Sequence, residues 1–454
     1  MKIHIKTIGA VGLIALGTFR TSAEISEAAR NNWPQWRGPL ATGVAPKATP
    51  PTSWSETEHI RWKIKIPGNG TATPVIWNDH IFIETAIPTS NKSALAAGAA
   101  ADATPSDGGP GRGGRGGMSM APTDTQRFAV LCLDRQTGRV LWQKTAREEM
   151  PHEGHHRDHG FSSFSPITDG SVVIAYFGSR GLYCYDFEGN LRWSKDLGRM
   201  QTKMGFGEGG SAALFGKSVV VKWDHEGEDF IAAFDRDSGK ELWRQARNED
   251  TSWSTPLVVE HGTGAQVVTA ATGKTRSYDL ATGKQVWEGP GLTPNAIPTP
   301  VAANGVVYVT SGFRGNALYA IQLGATGDVT GSKNILWQHA KGTPYVPSPL
   351  LSGENLYFFS GNDPKLSCFD AKTGQPRYEA ERIEGFMGVY SSPVAAAGRV
   401  YLVGRNGTTV VIRDGSKLEV LATNKLDEQF EASPALAGKE LFLRGHQYVY
   451  CIAE

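Results

Sequence analysis

Charge of one sign is missing from this chain: 46 Lys and Arg stand against 45 Asp and Glu, and without Lys2, Lys6 and Arg20 the balance is 43 against 45. No global field draws it to nucleic acid or to an anionic membrane, so electrostatic recognition must come from local clusters. Long apolar runs are missing too. The one from Ile8 to Phe19 is about half the roughly 20 residues a spanning helix takes. With Lys2 and Lys6 before it and Thr21-Ser22-Ala23 after it, the segment 1–23 reads as a cleaved secretory signal, which leaves no transmembrane segment. No Cys follows the run, which excludes a lipoprotein anchor. Cysteine is scarce throughout: Cys132, Cys184, Cys368 and Cys451 are all there are, each inside an apolar run.

What the chain has is turn residues, 54 Gly and 25 Pro, together with 12 Trp, the mixture expected of many short strands joined by tight turns. A unit recurs: a small residue and Pro, two apolar strands, a Gly-rich loop, a third strand ending in Asp, a TGK-like turn, then an aromatic. The stretches Ser163 to Trp193 and Thr299 to Leu323 are good copies. Self-similarity at this period signals a propeller. The opening position is counted at Pro74, Pro166, Ala212, Pro256, Pro300, Pro349, Pro393 and Pro434. The closing aromatic is counted at Trp62, Trp142, Trp193, Trp243, Trp287 and Trp337, with weaker Tyr378 and Leu421. Both counts predict an all-β, eight-bladed β-propeller over 54–454, preceded by an extension over 24–53. The last unit stops after its third strand, while HIRWKIKI from His59 supplies a fourth strand with no preceding three. Pairing the two would close the ring and remove exposed sheet edges. The repeated Trp is then a packing residue between blades. The four cysteines fall at one register on third strands of different blades, too far apart for the roughly 7 Å reach of a disulfide.

In a four-stranded blade, the loop entering strand one and the loop joining strands two and three share a rim, opposite the TGK turns. The unusual residues fall on that rim. Arg180, Arg314, Arg405 and Arg444 occupy equivalent second loops, joined by Asp224 and His225; Trp253, Tyr345 and Tyr390 occupy entry loops. Four Arg at one register would converge on the channel mouth as an anion-binding crown, since the planar guanidinium fork matches carboxylate and phosphate; alternatively each Arg pins its own loop. The aromatics would stack on a sugar or planar ring, or pack between blade tops. The run from Met150 to Gly160 carries His155, His156, Asp158 and His159, a density able to hold Zn²⁺ or another divalent ion, though at no fixed ligand spacing. The Gly/Ala-rich insertion at 86–125, including GRGGRGG, interrupts blade one on the same rim and is too poor in apolar bulk to order itself.

The stretches LYCYDFEGNLRW, FDRDSGKELW and YDLATGKQVW, with the opening NNWPQWRGP, resemble the pyrroloquinoline quinone-type (PQQ-like) propeller repeat over Trp54 to Glu454. The chain looks like the large family of exported PQQ-like propellers related to the outer-membrane assembly component BamB and, more distantly, to quinoprotein dehydrogenases. The dehydrogenase resemblance implies pyrroloquinoline quinone and calcium over the channel, with an Asp base and a disulfide between adjacent cysteines. This chain has no adjacent Cys pair. The BamB resemblance implies a non-catalytic scaffold of the cell envelope, periplasmic or extracellular, and the Arg, aromatic and His rim adds the expectation of an anionic ligand, glycan or protein partner. The expectation is therefore a binding propeller, with a quinoprotein oxidoreductase as the alternative.

Overall fold

The structure is a computed structural model in which residues 26–90 and 119–454 are described. The segment 1–23 and most of the insertion, GRGGRGG included, lie outside the described residues. Eight antiparallel sheets of four strands stand around a central axis. Blade one is Val75–Trp77, His80–Pro88, Gln126–Asp134 and Val140–Glu149, so its long second and third strands carry the chain out to the insertion and back. Blade four alone gains a fifth strand, Gly327–Asp328, parallel to Gln285–Gly289. Blade eight is built from both chain ends: Ile60–Lys65 pairs with Tyr448–Ile452, Trp62 facing Cys451. This is the ring closure that the unpaired N-terminal repeat fragment predicts.

One contact recurs at five blade interfaces. The indole N–H of Trp62, Trp142, Trp193, Trp243 and Trp337 donates to the carbonyl that opens the TGK-type turn of the next blade, at Arg135, Phe187, Arg236, Leu280 and Ala371, over 2.7–2.9 Å. In that turn the Asp accepts from the Thr or Ser backbone, as Asp235 does from Ser238 at 2.9 Å, and the Gly has positive φ. A side chain on Gly239 would strike the Trp193 ring, since its β-carbon would fall 2.7 Å from a ring carbon. Trp287 is the exception. Its next blade replaces the turn with residues 324–334, and Val329 and Leu323 cover the ring instead.

Each closing aromatic faces a small residue across the sheet. Trp142 pairs with Cys132, Trp193 with Cys184, Trp243 with Ala233, Trp337 with Ala320, Tyr378 with Cys368 and Trp62 with Cys451. The four thiols are therefore spacers that leave room for a ring, behaving as small hydrophobes. All four are free and buried, and burial pushes each up to about 12.

A second circle of contacts lies at the axis. The residue before each opening Pro or Ala passes its N–H to the corresponding hydroxyl of the next blade: Thr73 to Ser165, Ser165 to Ser211, Ser211 to Thr255, and so on to Ser392 and Ser433, all at 2.9–3.2 Å. The Thr73 hydroxyl closes the circle on the Ser433 carbonyl at 3.1 Å.

The extension is part of the barrel. From Trp33, bridged to Ile76 in blade one, the chain crosses the face of the TGK turns; it bridges blade seven at Val44 and Ala395 and reaches blade eight where Thr49 N–H donates to Gly438. Mid-crossing, the Arg37 guanidinium donates to the Pro349 and Pro393 carbonyls, both at 2.9 Å, and Gly43 is obligatory because a β-carbon there would lie 2.3 Å from Arg37 Nη2. Trp36 donates its indole N–H to Thr299 at 3.1 Å. The propeller channel is thereby shut at one end.

Candidate functional site

With the bottom shut, the channel is a blind cup of about 500 Å³ opening on the rim away from the TGK turns, floored by Trp36. Its walls are the entry loops, which bring Trp253, Tyr345 and Tyr390 to it, with Phe206 and Phe313 beside them. Trp253 is locked by an indole N–H donated to Gly207 at 2.8 Å. Tyr345 stacks on Phe313 with centroids 4.7 Å apart and planes 23° from parallel. The volume falls within the roughly 300–1,000 Å³ of small-ligand sites.

A strap covers part of the mouth. The connector between blades one and two pairs His155–His156 with Ser119–Met120, leans on Phe206 through His156 N–H at 2.8 Å, and ends its reach on the far side of the ring. There Asp158 accepts from the Tyr390 hydroxyl at 2.8 Å and from Arg405 at 3.1 Å. Arg405 also binds Glu431, which receives His446 at 3.1 Å. Burial works to raise the Asp158 carboxyl, but the Tyr390 hydrogen bond and Arg405 outweigh it and hold it below its usual value. Glu431 in turn raises His446.

The four Arg do not form a crown. Arg180, on a short 3-10 turn, points into the barrel wall and binds Glu208 at 2.5 Å and Glu149 at 3.5 Å. Arg444 is 3% exposed and donates to the Glu84 carbonyl at 2.7 Å; burial lowers its guanidinium to about 10. Arg405 is taken up by two carboxylates, and only Arg314 stands exposed at the mouth. Equal register placed all four on the rim. Acids arriving from other loops decided where Arg180 and Arg405 turned, and backbone carbonyls hold Arg444.

Asp224 and His225 also lie away from the cup. Asp224 is fully buried in an ion cluster with Arg247, at 2.6 Å, and Lys222, at 3.3 Å. Burial would raise its carboxyl, yet the two cations hold it down to about 2. The His225 Nδ1 accepts the Gln201 N–H at 3.1 Å.

The predicted metal set does not assemble among the described residues. His155 lies edge-on to Phe161 at 4.5 Å, and both ring nitrogens of His159 are engaged, Nε2 by Phe206 O at 2.7 Å and Nδ1 by Ser163 at 3.0 Å. Among those residues the ligand atoms that do converge are of His152, Glu153 and Glu208, within 4.8 Å. Their oxygens are already occupied: Glu208 takes Arg180 and the Ser179 N–H, and Glu153 takes the Thr202 N–H and hydroxyl. Quinone and calcium therefore do not fit. The carboxylates that would ligate calcium are neutralised or hydrogen-bonded, and the cations that would meet quinone carboxylates are paired, Arg314 and Arg157 excepted.

Sequence reasoning missed Trp36, Phe206, Phe313, Glu208 and Glu431 as parts of the site. The two Trp of NNWPQWRGP were a visible signal for the floor; nothing in a single repeat marks Glu431.

The family described as outer membrane protein assembly factor BamB matches residues 126–377 and 227–454. None of the curated proteins matches the chain. Among solved structures, BamB from Moraxella catarrhalis is 14% identical with TM-score 0.54, over 86% of this chain and 98% of that one. A quinohemoprotein alcohol dehydrogenase from Comamonas testosteroni is 14% identical with TM-score 0.51, over 94% and 81%. The corresponding enzyme ADHIIG from Pseudomonas putida HK5 is 10% identical with TM-score 0.54, over 95% and 81%. At such identities these structures share the fold alone.

Proposed function

The chain belongs to the family of the outer membrane protein assembly factor BamB, and we propose that it is a non-catalytic binding propeller of the cell envelope, holding a glycan, anionic ligand or protein partner in its cup. The observation that carries this reading is the closure of the channel by Trp36, which converts a pore into an aromatic-walled pocket. Pre-formed concave sites with rigid rings and a few directed polar groups are what binding requires. Its acids support binding over catalysis, because Asp158, Glu208 and Glu431 each hold two partners and none is poised to carry a proton to a guest. The order of charged, apolar and small residues from Lys2 to Ala23 supports export.

Trp36 and Trp253 line the cup and report on it. Titration of the purified protein with solubilised envelope glycans and envelope protein extracts should shift tryptophan emission saturably, and Trp253→Ala should abolish the shift. Binding that is indifferent to Trp253→Ala would place the partner elsewhere and sink the cup reading.

A further inference from the structure

We infer that the ligand of the cup is an acidic saccharide, with its carboxylate on Arg314 and its ring on the Phe313–Tyr345 stack. The assignment rests on the cup being a binding site, and it names what that site selects.

Three observations meet at one wall. First, Arg314 lines the cup and, among the described residues, has no acid within ion-pair distance, unlike Arg180 and Arg405. Its guanidinium carbon sits 5.2 Å from the Phe313 ring centroid, which leaves the fork free at its edge. Second, the loop GFRG holds it there at a backbone cost. Arg314 has φ +51°, a left-handed conformation that residues with a β-carbon avoid, Asn and Asp least. The loop cannot relax: Phe313 N–H is bound to Thr293 at 3.1 Å, and a β-carbon on Gly312 would lie 2.1 Å from the Thr343 carbonyl oxygen. A strained residue held by its surroundings points to a role for its side chain.

Third, the axial circle supplies hydroxyls. Ser211, Thr255, Thr299, Ser348 and Ser433 line the cup. Each accepts a neighbour's N–H, and none gives its own proton to another described residue. A guest that accepts hydrogen bonds at many points meets a ring of donors. Aromatic faces for a pyranose, hydroxyl donors for its oxygens and, beside the Phe313–Tyr345 stack, a guanidinium without an acid partner for a carboxylate describe a uronic-acid saccharide. An acidic peptide would use the guanidinium and, through its carbonyls, part of the hydroxyl circle, but it offers no pyranose face to the Phe313–Tyr345 stack.

The test is calorimetric titration of the full chain with oligogalacturonate, its neutral methyl ester and an oligoglutamate peptide, against wild type and Arg314→Asn. Asn suits the left-handed backbone, so this variant removes charge without adding strain. A charge-assisted hydrogen bond predicts that wild type prefers the acid to the ester by about tenfold to a hundredfold, and that Arg314→Asn loses this preference while binding the ester as before. Equal affinity for acid and ester, or a preference surviving in Arg314→Asn, overturns the inference and leaves the cup reading standing. Binding of the peptide in place of the saccharide overturns it in favour of a protein partner. If no probe moves the emission of Trp36 and Trp253, the saccharide assignment fails, and the cup reading is then judged separately by the envelope-extract titration.

Discussion

Replacing Gly239 by Ala, with Gly305→Ala as its control, measures how strongly one blade docks on the next. Both glycines have positive φ, +67° and +76°. Ala therefore suffers the same left-handed penalty at each, about 1–2 kcal/mol. The surroundings differ. Nothing lies within 4 Å of a β-carbon at Gly305, whereas at Gly239 it would sit 2.7 Å from two carbons of Trp193. The ring cannot swing aside without breaking its bond to Arg236, 2.8 Å long, so the variant either overpacks, at about 1–3 kcal/mol, or forfeits that bond, at about 1 kcal/mol. Gly239→Ala should thus lose about 1–3 kcal/mol more than Gly305→Ala. Denaturant unfolding followed by tryptophan emission reads the difference as a midpoint shift, compared between variants at matched slope because a ring of eight blades need not unfold in one step. Indistinguishable midpoints would show that the indole and the turn glycine do not bear on stability, and would remove the physical explanation offered for the repeat itself.

Three further outcomes follow from the same structure. His159 is lowered by burial to about 4 against 6.5 unfolded; a base with a depressed folded value leaves the unfolded chain holding more protons between those pH values, so stability falls from pH 6.5 to 4 by about 2–3 kcal/mol. His159→Gln should flatten that limb of the midpoint-versus-pH curve, and an unchanged slope would refute it. The four thiols should resist an aromatic disulfide reagent in the native protein and all react after denaturation, since burial holds each at about 12; rapid native labelling of any one would contradict the packing described. Asp158→Asn should weaken the hold on Tyr390 and Arg405, raising amide exchange across the strap while moving the global midpoint by no more than about 1 kcal/mol. Unaltered exchange would mean the strap is held elsewhere.

The ring was legible in the sequence and its cup was not, for one reason. Features set by the local repeat recur at a fixed spacing, so Trp142, Trp193 and Trp243 with their TGK-like turns announce blades, and the unpaired Trp62 announces where the circle joins. Site chemistry here depends on partners brought by other loops. Arg180 and Arg314 share a G-x-R-G setting, yet Glu208, carried in by the next inter-blade loop, draws Arg180 inward, while a left-handed backbone turns Arg314 to the mouth. The strap tells the same story: His155, His156 and His159 cluster in sequence, but the residue of that run that reaches across the mouth is Asp158, through Tyr390 and Arg405. The floor was missed because the extension carries no repeat: Trp33 and Trp36 stand out in it, but outside the period they do not say that the chain crosses an axis.

The union of Ile60–Lys65 with Tyr448–Ile452 also imposes an order in time. The strand made early must wait, unpaired, until its partner has emerged, because the seven other blades lie between the two along the chain. No partial product can complete the circle. A chain that stopped short of Tyr448 would display two raw sheet edges, a form that proteases and chaperones can tell from the finished ring.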